Sequence, residues 1–137
     1  MKVMVLVKGD KNTEAGVMPT TEELTEMGKF NEELVKAGIM LAGEGLAPTS
    51  QGKRIKFAGG KPAVTDGPFT ETKEIVAGFW IWQVRSMEEA TEWLKRAPFR
   101  DAEVDIRRIF EAEDFGDALT PEIRAHEEAL RAKTGVA

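Results

Sequence analysis

Val76-Ala77-Gly78-Phe79-Trp80-Ile81-Trp82-Gln83-Val84 holds a single polar side chain, Gln83, and its reading decides the fold. In an extended chain successive side chains point to opposite faces. Phe79 and Ile81 therefore share one face, and Trp80, Trp82 and Val84 share the other. An apolar residue on both faces marks a strand covered from two sides. Lys2 to Lys8 reads the same way, with Val3 to Val7 apolar throughout.

Outward from these two strands the periodicity changes. Thr20 to Ala37 predicts a helix: Thr20 and Glu23 have capping-box spacing, and Leu24, Met27, Phe30 and Leu34 form an apolar stripe. Gly38 stands where a left-handed C-terminal residue belongs. A second helix begins at Ser86, again with Glu three residues on, carries Met87, Ala90, Trp93 and Leu94 inward, and stops at Pro98. Further strands are expected over Ile39 to Ala47, Arg54 to Phe57, Pro62 to Thr65 and Val104 to Phe110. Arg54 to Phe57 alternates as a half-buried strand does, and Gly59-Gly60 supplies a tight hairpin. Gly9 to Gly16 and Glu71 to Glu74 read as loops. The order is β-α-β, a hairpin, then β-α-β. It predicts an α+β, ferredoxin-like split βαβ domain with an inserted β-hairpin, both helices lying on one sheet face.

That plan leaves the other sheet face open. At about 25 cal/mol per Å², exposing Trp80 and Trp82 together would forgo several kcal/mol. A second subunit, a ligand cavity or the C-terminal arm is therefore expected over them. Two such sheets packed face to face form a self-complementary interface, so a homodimer is expected.

The 137 residues, 42% hydrophobic and 31% charged, suit one globular domain. Residues 1–112 are assigned to it, and 113–137 to a C-terminal helical extension that starts at Thr120-Pro121. With Ile123 and Leu130 as its large apolar residues, this arm is expected to pack on the domain or on a partner subunit. No cysteine is present, which excludes disulfides and thiolate chemistry and fits a reducing compartment. The apolar run at the N-terminus is too short for a signal peptide or membrane span. A cytoplasmic location is expected. A net charge of -5 argues against direct nucleic-acid binding.

The single histidine, His126, lies in the charged tail and reads as solvated. No metal-ligand spacing, phosphate loop or nucleophile elbow is present, so no metal and no cofactor are expected. What remains is a cluster of carboxylates. Asp66, Glu71 and Glu74 lie with Lys73 within nine positions, and Glu44 stands between Gly43 and Gly45. Like charges at a sheet end raise a carboxyl pKa and suit acid–base work, while Lys73 suits an anionic group. The structural alternative is equally concrete: an Asp-Gly turn that bonds its own backbone, solvated ion pairs, and a bulge at Glu44.

Asp66-Gly67-Pro68-Phe69 resembles the signature of the YCII-related proteins of the DGPF type. The likeness extends over Thr65 to Trp82, Asn31-Glu32-Glu33-Leu34, Gly43-Glu44-Gly45-Leu46, Glu89-Ala90, and Phe110 to Phe115 in the tail. The resemblance implies a dimeric α+β barrel of two ferredoxin-like subunits. It also implies either a small-molecule enzyme or an accessory linked to sigma factors and transcription. Shorter YCII proteins carry a His–Asp dyad with the His near the first helix. Met18 to Gly38 has no histidine here, so that dyad does not transfer.

The expected function is thus a small-molecule enzyme or ligand binder with Asp66, Glu71 and Glu44 as acid–base groups. Lys73, Phe69, Trp80 and Trp82 are its ligand contacts. The alternative is a non-enzymatic interaction module, with a sigma factor as candidate partner.

Overall fold

In the computed structural model, which describes residues 1–70 and 74–135, the two apolar strands pair antiparallel as β1 (Lys2–Lys8) and β5 (Val76–Gln83). On the far side of β5 lies β2 (Met40–Gly45), and on the far side of β1 lies β6 (Val104–Arg108). The order β2-β5-β1-β6, all neighbours antiparallel, is the ferredoxin-like arrangement. A separate two-stranded sheet, β3 (Lys53–Ala58) with β4 (Lys61–Asp66), is inserted between β2 and β5.

Local chemistry sets the helix ends. The segment expected to be a loop before the first helix contains a helical turn, α1 (Lys11–Glu14), closed by reciprocal Asp10 and Thr13 bonds. The long helix α2 (Thr21–Lys36) begins with the Thr20–Glu23 capping box. It ends at Gly38, whose φ of 73° lets the Gly38 and Ile39 N–H groups return to the Val35 and Leu34 carbonyls. Ser86 caps α3 (Met87–Lys95), but Glu89 bonds the Arg85 backbone and guanidinium, so the box is not reciprocal. The arm carries α4 (Pro121–Thr134), capped by Thr120.

The register fixes which face each tryptophan takes. Val3 stands opposite Trp82 and Val5 opposite Trp80. All four are buried, together with Phe30 and Leu34 of α2 and Ala90 of α3. Trp80 and Trp82 therefore lie beneath the helices of their own chain, which corrects the expectation that a partner, a ligand cavity or the arm must cover them. Strand parity separated the two sets correctly, but parity alone does not say which set the helices take. The open face instead carries Met4, Leu6, Phe79 and Ile81, each half-buried, with Asp105 and Arg107 from the β6 edge. The aromatic core is edge-packed: Phe30 to Trp80 5.9 Å, Trp80 to Trp82 5.6 Å, Trp80 to Phe99 6.1 Å between ring centroids.

The hairpin departs from expectation. Gly59 and Gly60 both have positive φ, as a two-residue primed turn requires. Yet every residue of β3 and β4 is exposed, so Arg54 to Phe57 is not half-buried within the chain. Ile55, Phe57, Pro62 and Val64 share one face by register, and Phe57 is 79% exposed. Along α2, Leu24 also lies outside the core, 60% exposed. The arm buries no residue of α4.

Candidate functional site: a cleft beneath the first long helix

Glycines open the space between α2 and the sheet. Gly43 of β2 faces Trp80 of β5, and Gly45 faces Gly78. A Cβ on Gly43 would sit 2.7 Å from the Trp80 ring, so no larger residue fits beside this indole. Gly45 has nothing within 4 Å of where a Cβ would be. The result is an open cleft of about 290 Å³. Trp80, Phe99, Met27 and Val7 supply apolar wall, and the β2 and β5 backbones supply the rest. Its polar side chain from α2 is Asn31, whose Oδ1 accepts the Trp80 indole N–H at 3.0 Å. The bond fixes the plane of Trp80 and gives a part-buried donor its partner.

Glu44 is exposed and is the carboxylate-bearing residue among those lining the cleft. Its register partner is Phe79, so its side chain belongs to the open-face parity, while its backbone forms cleft wall. Gly78 depends on that backbone: a Cβ there would approach the Glu44 carbonyl oxygen to 3.1 Å. The strand irregularity lies between Met40 and Ala42, not at the glycines that flank Glu44. Trp80 lines the cleft. Trp82 does not, since it is fully buried and its indole N–H has no partner among the described residues. Its expected ligand contact is corrected to a core role.

The Asp66 loop lies on different supports. Asp66 closes β4 opposite Lys53 and is ion-paired to it. The Gly67–Pro68 peptide is cis. A Cβ on Gly67 would fall 1.7 Å from the Thr49 carbonyl oxygen, so glycine is required there. Thr49 is the junction. Its hydroxyl accepts the Phe69 N–H at 3.0 Å and donates to Glu14, whose other carboxylate oxygen accepts the Thr49 N–H at 3.1 Å. The Phe69 ring lies under the Arg54 guanidinium, 4.1 Å from its carbon. Neither Asp66 nor Phe69 is among the cleft-lining residues. Glu71 and Lys73 lie outside the described residues.

Three further ion pairs, on Lys8 and Arg108, tie the sheet edge. Lys8, at the end of β1, bridges Asp105 at 3.1 Å and Glu74 at 3.8 Å, and the Asp105 contact raises its pKa. At the arm, Arg108 grips Asp114 with two bonds of 2.7 and 2.8 Å. With the Glu111 N–H, that grip lowers the Asp114 carboxyl to about 2. Among the described residues no three of His, Cys, Asp and Glu converge as metal ligands. No described helix is long and apolar enough to cross a membrane.

Asn31, Phe99, Glu14 and Thr49 did not emerge as site residues from the sequence. Asn31 carried a signal: it is four residues after Met27, a polar side chain on the inward stripe of a helix, where a polar group needs a reason. Glu14 and Thr49 carried none, because their meeting is a long-range contact between two short turns.

A family model described as the YCII-related domain matches residues 1–113. An uncharacterised protein, R00369, of Rhizobium meliloti (strain 1021) is 29% identical over 72 residues, 53% of this chain and 58% of that protein. The chain thus matches little more than half the length of that relative. Among solved structures, 5-chloro-2-hydroxyhydroquinone dehydrochlorinase from Burkholderia phenoliruptrix AC1100, in complex with 2,5-dihydroxybenzoquinone, is similar with a TM-score of 0.45. That match is at 17% identity and covers 81% of this chain and 95% of that one.

Proposed function

The chain belongs to the YCII-related family, and from that premise we propose that it binds, and chemically transforms, a small flat molecule in the cleft beneath α2. The observation that carries this is the cleft itself, walled by the edge of a largely buried Trp80 that Asn31 holds in plane, with Gly43, Gly45 and Gly78 placing no side chains on the strands beside it. A cavity near 290 Å³ is at the small end for ligand sites, which bind by apolar walls and a few placed polar groups. A ring with one hydrogen-bonding substituent fits that chemistry: the ring against Trp80 and Phe99, the substituent toward Asn31. Glu44 stands on the edge strand β2 with its side chain on the opposite face, so it is the acid–base carboxylate for a ligand that reaches round that edge. Asp66, with Glu71 and Lys73, is the second catalytic candidate, acting from the loop on a ligand that extends beyond the cleft. Phe69 belongs to that side.

The test is a titration of hydroxylated aromatic fragments followed by tryptophan fluorescence, with three full-length variants. Asn31→Leu should weaken binding about tenfold or more, the size of one lost hydrogen bond to a buried partner. Glu44→Gln should leave binding in place and remove turnover. Turnover lost in Asp66→Asn and kept in Glu44→Gln would move the chemistry to the loop. Binding unaffected by Asn31→Leu would end the cleft reading.

The same proposal includes a homodimer through the open sheet face, where Met4, Leu6, Phe79 and Ile81 give an apolar centre with charged edges. Sedimentation velocity should give twice the chain mass. Residues 1–112 form the proposed catalytic domain and 113–137 an extension, in a cytoplasmic setting that suits a cysteine-free chain. One observation favours the accessory reading: no residue of α4 is buried. Capture of a sigma factor that survives Glu44→Gln and fails on removal of residues 116–137 would support that reading over the enzyme.

A further inference from the structure

The hydrogen bond that fixes Trp80 also fixes the polarity of the cleft. An indole N–H donates and cannot accept, so the Asn31 atom that meets it at 3.0 Å has to be the amide oxygen. The Asn31 amide therefore has one orientation, with its oxygen on the indole and its nitrogen turned away. The oxygen has a partner, and Trp80 uses its own N–H in the same bond. The Asn31 amide nitrogen donates to no described residue, while Asn31 is half-buried and lines the cleft. An amide N–H without a partner is the costlier half of such a group to leave unmet, and a ligand that accepts from it gains the bond.

The cleft brings no cation to that donor. Among the described residues that line it none is Lys, Arg or His, and its charged residue is Glu44, an anion. Lys8 follows Val7 on β1, so it points to the opposite sheet face, where Asp105 and Glu74 hold it. An anionic ligand would give up hydration between apolar walls with no opposite charge to replace it. We propose that the cleft selects a neutral hydrogen-bond acceptor: a flat ring bearing a ketone, aldehyde, amide or lactone carbonyl, whose oxygen accepts from the Asn31 amide N–H. The inference rests on the cleft reading of the preceding section and adds the class of group that Asn31 recognises. A carboxylate of the same shape fails on charge. An apolar isostere fails by leaving the amide nitrogen unmet. A hydroxyl meets that nitrogen through its oxygen alone.

The test is an NMR titration of the full-length protein with three probes of nearly one shape. Acetophenone carries the carbonyl, α-methylstyrene has CH2 in place of its oxygen, and benzoate is anionic at neutral pH. The Trp80 indole and the Asn31 side-chain amide are the reporters; the other asparagine, Asn12, lies on α1. Acetophenone should bind about tenfold tighter than either other probe, the size of one hydrogen bond, and should shift the Asn31 amide protons. Asn31→Asp keeps an acceptor for the Trp80 indole and removes the donor. In that variant the preference for acetophenone over α-methylstyrene should vanish, with the Trp80 indole signal showing that the fold is kept. Equal binding of these two probes to the unmodified protein, both shifting Trp80, overturns the inference and leaves the cleft reading standing. So does benzoate binding tighter than acetophenone, or a preference that survives Asn31→Asp. If no probe shifts Trp80, the inference and the cleft reading fall together.

Discussion

At Gly43 a single hydrogen atom decides whether the Trp80 ring fits where it lies. The Trp80 ring occupies the space a methyl group would need, 2.7 Å from the position of a Cβ. Gly43→Ala should therefore push the indole off Asn31 and cost about 1–3 kcal/mol, as overpacking does. Urea unfolding would show the loss, with a shift in tryptophan emission. Asn31 and Trp80 show how much of the site was legible. Trp80 announced itself by size and by its place in an apolar strand, but the face it takes did not follow. The helix stripe and the strand parity are each periodic, and nothing local couples one phase to the other. Trp82 was overread for the same reason: an aromatic residue beside a suspected site is more often core, and here it is fully buried.

The elements with caps were the most legible, because capping is a contact within three or four residues. Thr20 with Glu23, Gly38 and Thr120-Pro121 all end helices where the spacing said they would. The Asp66 loop was legible as a turn and not as a docked turn. Its anchor is Thr49, with Glu14 behind it, and both lie far off in sequence. Gly67→Ala should detach the loop, since the new methyl would overlap the Thr49 carbonyl. Amide exchange at Phe69 should then rise while exchange in β1 and β5 stays unchanged. The arm root is an electrostatic element. Asp114 has its pKa lowered from 3.8 to about 2, so the folded form binds its proton less readily than the unfolded chain does. The stabilisation is present above the ordinary value and is lost as pH falls through the folded one. Proton contacts between the Phe110 and Phe115 rings, followed by NMR, should hold above pH 3.8 and fade toward about pH 2.

For the whole molecule, the sheet divides labour between its faces. One face is closed by α2 and α3 over two tryptophans, and the glycines of β2 and β5 keep a cleft open at one end of that layer. The other face is apolar at its centre and charged at its edges, which suits a second subunit. The fold class was legible because the order of elements left few topologies. Where a ligand would bind was not, because the cleft is made by absent side chains. The chain has three tryptophans, and their indole N–H groups report on three places: Trp80 at the cleft floor, Trp82 in the core, and Trp93 on α3. A ¹⁵N-indole NMR titration with a small hydroxylated aromatic is therefore the most direct measurement. Binding in the cleft predicts a large shift of the Trp80 resonance, a smaller one at Trp82 and none at Trp93. A ligand that binds while Trp80 stays unmoved would contradict the account.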